Sequence, residues 1–218
     1  MQYRIVGDTA PAVEIAFDSA GESMITQSGG MAWMTDGIEM TTSTNGGVLK
    51  GLGRMFAGES MFMATYTASA PGSKIAFASS VVGDVMPIRM EETSGLICQK
   101  GAFLCSEKTV NLKVAFTKKL GAGFFGGEGF ILQDLSGSGM VFLEVDGDKV
   151  EMDLAAGEVV KVDTGNVVAF EKTVQYDIET VKGIKNIFLG GEGLFLTKLT
   201  GPGKVILQTQ NVAEFAGR

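Results

Sequence analysis

The stretch GFFGGEGFILQDLSGSG, from Gly123 to Gly139, has two counterparts in the same chain: GRMFAGESMFMATY from Gly53 and FLGGEGLFLTKLTGPG from Phe188. This recurrence restricts the fold more than any other feature. The three glutamates Glu59, Glu128 and Glu192 stand 69 and then 64 residues apart. Each follows a glycine (Gly58, Gly127, Gly191) and precedes a small residue (Ser60, Gly129, Gly193). Three residues beyond each glutamate stands an apolar side chain, Phe62, Ile131 or Phe195. A glycine turn and an apolar run then follow: APGSKIAF, GSGMVFL and GPGKVIL. A second motif keeps step with the first, as MITQSGGMAWM from Met24, LICQKGAFLC from Leu96 and VKVDTGNVVAF from Val160. From Gly30 to Glu59 is 29 residues; from Gly101 to Glu128 and from Gly165 to Glu192 it is 27. Two markers holding nearly one offset through three copies point to internal triplication, because a chance glycine loop would not carry the second marker with it. The expected organisation is one domain over residues 1–218 with three internal repeats, about 1–80, 81–147 and 148–218.

Each copy reads as strands. Val110, Leu112, Val114 and Phe116 alternate with Asn111, Lys113 and Ala115, which sets one face inward and the other outward. Val150, Met152 and Leu154 do so against Glu151 and Asp153, and Val174, Tyr176 and Ile178 against Gln175, Asp177 and Glu179. DGDK at Asp146 and TGN at Thr164 read as hairpin turns. Thirty-one glycines against four prolines suit many tight turns, since glycine takes positive φ without steric cost. FIL (Phe130 to Leu132) and MVFL (Met140 to Leu143) are apolar on both faces, as strands held between two layers are. No segment sustains a helical apolar stripe. The expected fold is all-β: three tandem β-sandwich repeats in one compact pseudo-threefold body.

Charge and composition exclude several functions. A formal charge of −7, with Lys118-Lys119 the one adjacent basic pair, argues against a nucleic-acid surface. Seven carboxylates between Glu144 and Asp163 read as a solvated face. With no histidine the chain lacks the commonest general base and the usual Ser-His and Cys-His nucleophiles. Cys98 and Cys105 cannot complete a four-ligand zinc site, and they read as buried free thiols in a reducing compartment. The start MQYRIVGD carries no signal-peptide pattern, and no apolar run approaches membrane-spanning length. The expectation is a cytoplasmic protein, with contact at a membrane surface left open, and with no metal or cofactor.

The glycine-rich loops are weak phosphate sites. They precede strands rather than a helix, lack the lysine of a phosphate loop, and carry a glutamate that repels phosphate. Gly58, Glu59, Gly127, Glu128, Gly191 and Glu192 therefore read as structural bends where copies approach, with interaction as the secondary reading. DGDKVEMDLAAGE fails as a calcium loop: Val150, Glu151 and Gly157 fill its fifth, sixth and twelfth places, where an oxygen ligand, glycine and glutamate are needed. Trp33, Arg54, Phe56 and Phe62 are candidate interface residues. Lys50 and Arg54 beside Met55, Met61 and Met63 could also meet anionic lipid. A catalytic carboxylate pair cannot be singled out.

GEGFILQDLSGSG, VDTGNVVAF and GEGLFLTKLTGPGKVILQTQ resemble the AIM24 family, over essentially the whole chain. Asn166 departs from the histidine that many members carry in VDTGHVVAF. The resemblance implies a fold similar to the tryptophan RNA-binding attenuation protein, three such units per chain and assembly as a homotrimer; it implies no activity. The yeast relative supports inner-membrane organisation, which suggests scaffolding. The expected function is a non-enzymatic structural or interaction module that self-associates, at a membrane surface or with a protein partner. The alternative is a small-molecule or RNA-binding module, by analogy of fold.

Overall fold

The computed structural model describes residues 1–27, 29–44, 62–118, 130–180 and 195–211. Among these there is no α-helix. Three short 3₁₀ turns, Met90–Glu92, Lys100–Ala102 and Thr164–Asn166, join strands in four antiparallel sheets.

Sheet 1 runs β1 (Gln2–Val6), β2 (Ala12–Ala16), β7 (Lys74–Ala78) and β4 (Met31–Met34). Sheet 2 runs β5 (Ile38–Thr44), β6 (Phe62–Ala68), β3 (Ser23–Gln27), β10 (Phe103–Glu107), β13 (Met140–Asp146) and β8 (Gly83–Arg89). Sheet 3 runs β11 (Val110–Lys118), β12 (Phe130–Gly137), β9 (Leu96–Gln99), β16 (Val167–Glu171), β19 (Gly203–Gln208) and β14 (Lys149–Leu154). Sheet 4 runs β15 (Val159–Asp163), β18 (Phe195–Thr200) and β17 (Gln175–Thr180).

The chain divides into two compact units. The first comprises Met1–Met90, Phe103–Asn111 and Gly137–Glu144; the second comprises Glu91–Ala102, Leu112–Ser136 and Val145–Arg218. Residues 81–147 thus contribute strands to both. In the first unit, sheets 1 and 2 share a core in which Val13, Ile15, Phe17, Ile75 and Phe77 meet Met24, Tyr66, Leu104 and Phe142. In the second, Phe130, Leu132, Phe170 and Val205 of sheet 3 share a core with Val162, Ile178 and Leu199 of sheet 4. Burying such side chains stabilises by about 1.5–3 kcal/mol each, which is why alternating and continuous apolar runs settle here. The runs from Phe130 to Leu132 and from Met140 to Leu143 are buried throughout. On β17, Val174 just before the strand and Ile178 within it are buried, with Tyr176 partly so.

Three expectations are corrected. DGDK is not a hairpin turn, because β13 before it lies in sheet 2 and β14 after it in sheet 3. Val150 and Met152 do not face inward: they are 41% and 37% exposed, and only Leu154 of that row is buried. Among the described residues β14 is an edge strand paired on one side alone, with β19, so its apolar row has little to pack on. TGN is not a hairpin. It forms the turn Thr164–Asn166, capped by the Asp163 carboxylate accepting the Gly165 N–H at 3.0 Å, between strands that lie in different sheets.

The strand order carries a regularity. Each strand in sheet 3 has a number six higher than its counterpart in sheet 2. Sheet 1 read as β4-β7-β2 is six below β10-β13-β8, and sheet 4 read as β17-β18-β15 is six above β11-β12-β9. Irregularities recur at the same places. β4 bulges between Met31 and Trp33 against β7, β10 between Phe103 and Cys105 against β13, and β16 between Val167 and Ala169 against β19. A side-chain oxygen at a matching position then receives a backbone N–H in each case: Thr35 from Lys74 at 2.9 Å, Glu107 from Met140 at 3.0 Å, and Glu171 from Lys204 at 3.0 Å. Gly139 and Gly203 set up the last two contacts from φ of 105° and 140°. A Cβ on Gly203 would lie 2.5 Å from Thr173 Oγ1, and one on Gly139 2.8 Å from Thr109 Oγ1, so both positions demand glycine.

Candidate functional site

Gly58, Glu59, Gly127, Glu128, Gly191, Glu192, Arg54 and Phe56 lie outside the described residues, as do Lys50 and Met55. Phe62 opens β6, with its Cα opposite that of Thr44. Trp33 is on β4, and here the structure is informative.

Trp33 is 46% exposed and Met34 40%. The reason is the sheet: β4 pairs with β7 on one side and, among the described residues, with nothing on the other. At the matching places on β10 and β16, Cys105, Ser106, Ala169 and Phe170 are all 0% exposed. Those strands have a second neighbour. β10 pairs with β3 in the register Cys105↔Thr26, Ser106↔Ile25, Glu107↔Met24. β16 pairs with β9 in the register Ala169↔Cys98, Phe170↔Ile97, Glu171↔Leu96. The strand that corresponds to β3 and β9 is β15, and it too has an open side. Among the described residues β15 pairs only with β18, and Val159 is 46% exposed. Among the edge strands of the four sheets, β4 and β15 are thus the two whose counterparts are both paired on both sides, and each carries exposed apolar side chains. Such edges template pairing with another strand.

The Trp33 ring is oriented by its neighbours. Trp33 and Glu14 both pair with Ala76 of the intervening strand β7, and the small Ala76 side chain leaves the indole room to reach across. The Glu14 carboxylate is held below the usual range first by its hydrogen bond from Arg4, at 2.9 Å, with the Trp33 indole also contributing.

A cleft of about 500 Å³ lies in the first unit, with Arg89, Lys108, Glu22 and Glu107 on its walls. Its carboxylates are committed to backbone groups: Glu107 takes the Met140 N–H at 3.0 Å, and Glu22 takes the Asp18 N–H at 2.8 Å. Glu22 also pairs with the Met1 amine at 3.5 Å. Among the described residues no three Cys, Asp or Glu side chains gather as metal ligands. Cys98 and Cys105 are free, as the sequence suggested, and buried. Burial pushes both thiols up, Cys98 further through the nearby charge of Asp134, so neither supplies a thiolate nucleophile near neutral pH.

Sequence reasoning singled out Trp33 but missed Met34 and the Val159–Val162 edge. The signal was present: MAWM, FLC and VVAF align in the second motif, and so do MITQ, LICQ and VKVD.

The family model for AIM24, described as mitochondrial biogenesis AIM24, matches residues 3–210. An uncharacterised protein of Streptococcus pyogenes serotype M6 is 30% identical over 215 residues, covering 95% of this chain and 84% of that protein. The crystal structure of a protein from Streptococcus pyogenes superposes with a TM-score of 0.79 at 26% identity, covering 99% of this chain and 96% of that one.

Proposed function

The chain belongs to the AIM24 family, and from that premise we propose that it is a non-enzymatic structural module that self-associates as a homotrimer. Its body is a six-strand unit present three times, with a fold similar to that of the tryptophan RNA-binding attenuation protein. The shift of six in strand order, the three bulges and the three matching N–H contacts at Thr35, Glu107 and Glu171 support the triplication. Each unit gives one strand triplet to one sheet and a second triplet to another, so adjacent units interlock.

The single observation that carries the association is the contrast in exposure along β4. Side chains buried completely at two junctions are open to solvent at the third. A solution monomer would leave that strand unpaired, whereas closed symmetric assembly removes open edges. Light scattering on the purified protein at micromolar concentration tests this. The expected mass is three times the 22.9 kDa chain, and a mass of one chain overturns the reading.

No helix among the described residues is long and apolar enough to cross a membrane. Flotation with anionic vesicles tests contact at a membrane surface directly. A small-molecule role has the first-unit cleft in its favour; an RNA role has to contend with the net charge of −7.

A further inference from the structure

We propose that the open side of β4 in one copy of this chain pairs antiparallel with the open side of β15 in a second copy, with Trp33 opposite Val162. The proposal rests on the triplicated, self-associating reading above and adds the surface, the partner and the register.

The register comes from the two junctions present within the chain. MITQ, LICQ and VKVD align in the second motif, so Thr26, Cys98 and Val162 correspond. The recurring bulge makes Trp33, Cys105 and Ala169 correspond on the facing strands. Cys105 pairs with Thr26, and Ala169 with Cys98. The third pair of the series is Trp33↔Val162, followed by Met34↔Lys161 and Thr35↔Val160.

A second copy of this chain is the occupant that the observations favour. The pairing that β4 lacks is the one that β15 lacks, to judge by β10 with β3 and β16 with β9, so one copy's β4 meets another's β15 and leaves its own β15 for the next. This heterologous contact closes into a ring when the rotation between copies permits. The chemistry agrees. β4 brings no charged side chain, and Trp33 would come against Val162, a pairing of aromatic and β-branched residues that suits cross-strand contact, while Met34 would lie along the aliphatic stem of Lys161 on the other face. Lys161 and Asp163 keep their charges on an edge that would be unsuited to packing on a hydrocarbon surface.

Two double variants, Trp33→Cys with Val162→Cys and Met34→Cys with Lys161→Cys, test the register. Adjacent pairs in an antiparallel ladder alternate between hydrogen-bonded and non-hydrogen-bonded geometry, so one of the two has the closer Cβ spacing that a disulfide needs. Mild oxidation of that variant should link most of the protein into species of two or more chains on non-reducing gels. The off-register variant Trp33→Cys with Lys161→Cys should link at least several-fold less. Intact mass after denaturation separates linkage between chains from a bond within one chain, and the latter overturns the second-copy assignment. If light scattering shows an oligomer but neither in-register variant links, this edge is wrong while self-association stands. If the protein is one chain in mass and nothing links, both readings fall. Single variants carrying one new thiol control for the native cysteines, which are buried.

Discussion

Trp33 and Cys105 each follow the same strand bulge, yet the indole is 46% exposed and the thiol is fully buried. The difference lies in the neighbouring strand, since β10 is flanked by β3 and β4 has an open side. Trp33→Glu should therefore dissociate the assembly while leaving the fold of each chain intact. A substitution at a surface position away from the core changes stability by less than about 0.5 kcal/mol. Light scattering should show one-chain mass, and the circular dichroism spectrum should stay that of a β protein. If the variant is instead unfolded, Trp33 is a core residue and the open edge is misjudged.

Phe170 is the opposite case. It is fully buried in the second unit, and its ring lies 5.3 Å from that of Tyr176. Phe170→Ala should cost about 3–5 kcal/mol, the range for truncating a buried aromatic. Chemical denaturation is the measurement, and a loss under about 1 kcal/mol would mean that the site collapses around the missing ring.

The fold class was legible in the sequence because alternation and burial on both faces are local properties. Val174 and Ile178 show the first, and Phe130 to Leu132 the second. Partner choice was not legible. Val150 and Met152 alternate like any half-buried strand, and the pattern carries no record that β14 ends up at an edge. TGN has hairpin composition, but composition does not say that the strands on its two sides join different sheets. Trp33 was marked as an interface residue without its partner, because the series Thr26, Cys98, Val162 acquires meaning only once two of its pairings are seen. The Gly-Glu stretches on which the sequence suggests a repeat lie outside the described residues, and the strand order and the recurring bulges support that reading in their place.

Glu171 provides a test of one such feature. Its carboxylate accepts the Lys204 N–H at 3.0 Å and the Ser94 N–H at 3.3 Å. Glu171→Ala leaves both donors without this acceptor and should cost about 1–3 kcal/mol, with Glu171→Gln recovering much of that loss because an amide oxygen still accepts. Glu107→Ala, which strips the acceptor from Met140 N–H, should behave alike in the first unit. Urea midpoints of the three variants make the comparison. Unequal responses, with one glutamate indispensable and the other silent, would break the equivalence.

Stability should fall at alkaline pH through Cys98 and Cys105. Both thiols are completely buried, and burial pushes both up; for Cys98 the charge of Asp134 adds to this. An unfolded thiol ionises near 8.5. Above that pH the unfolded chain gives up two protons that the folded chain keeps, so it binds fewer protons and is favoured as pH rises. The stabilisation is complete below about pH 8.5 and erodes above it, by about 1.4 kcal/mol per pH unit for each thiol. Tyr66 and Tyr176 are raised by burial as well and bend the profile in the same direction near their own, higher range. Comparison with a Cys98→Ala, Cys105→Ala variant isolates the thiols. Between pH 8.5 and 10 its unfolding free energy, from urea titration under reducing conditions, should decline less steeply than that of the natural chain. Parallel profiles would mean that the two sulfurs reach solvent in the folded protein, and rapid alkylation by iodoacetamide in the absence of urea would then accompany them.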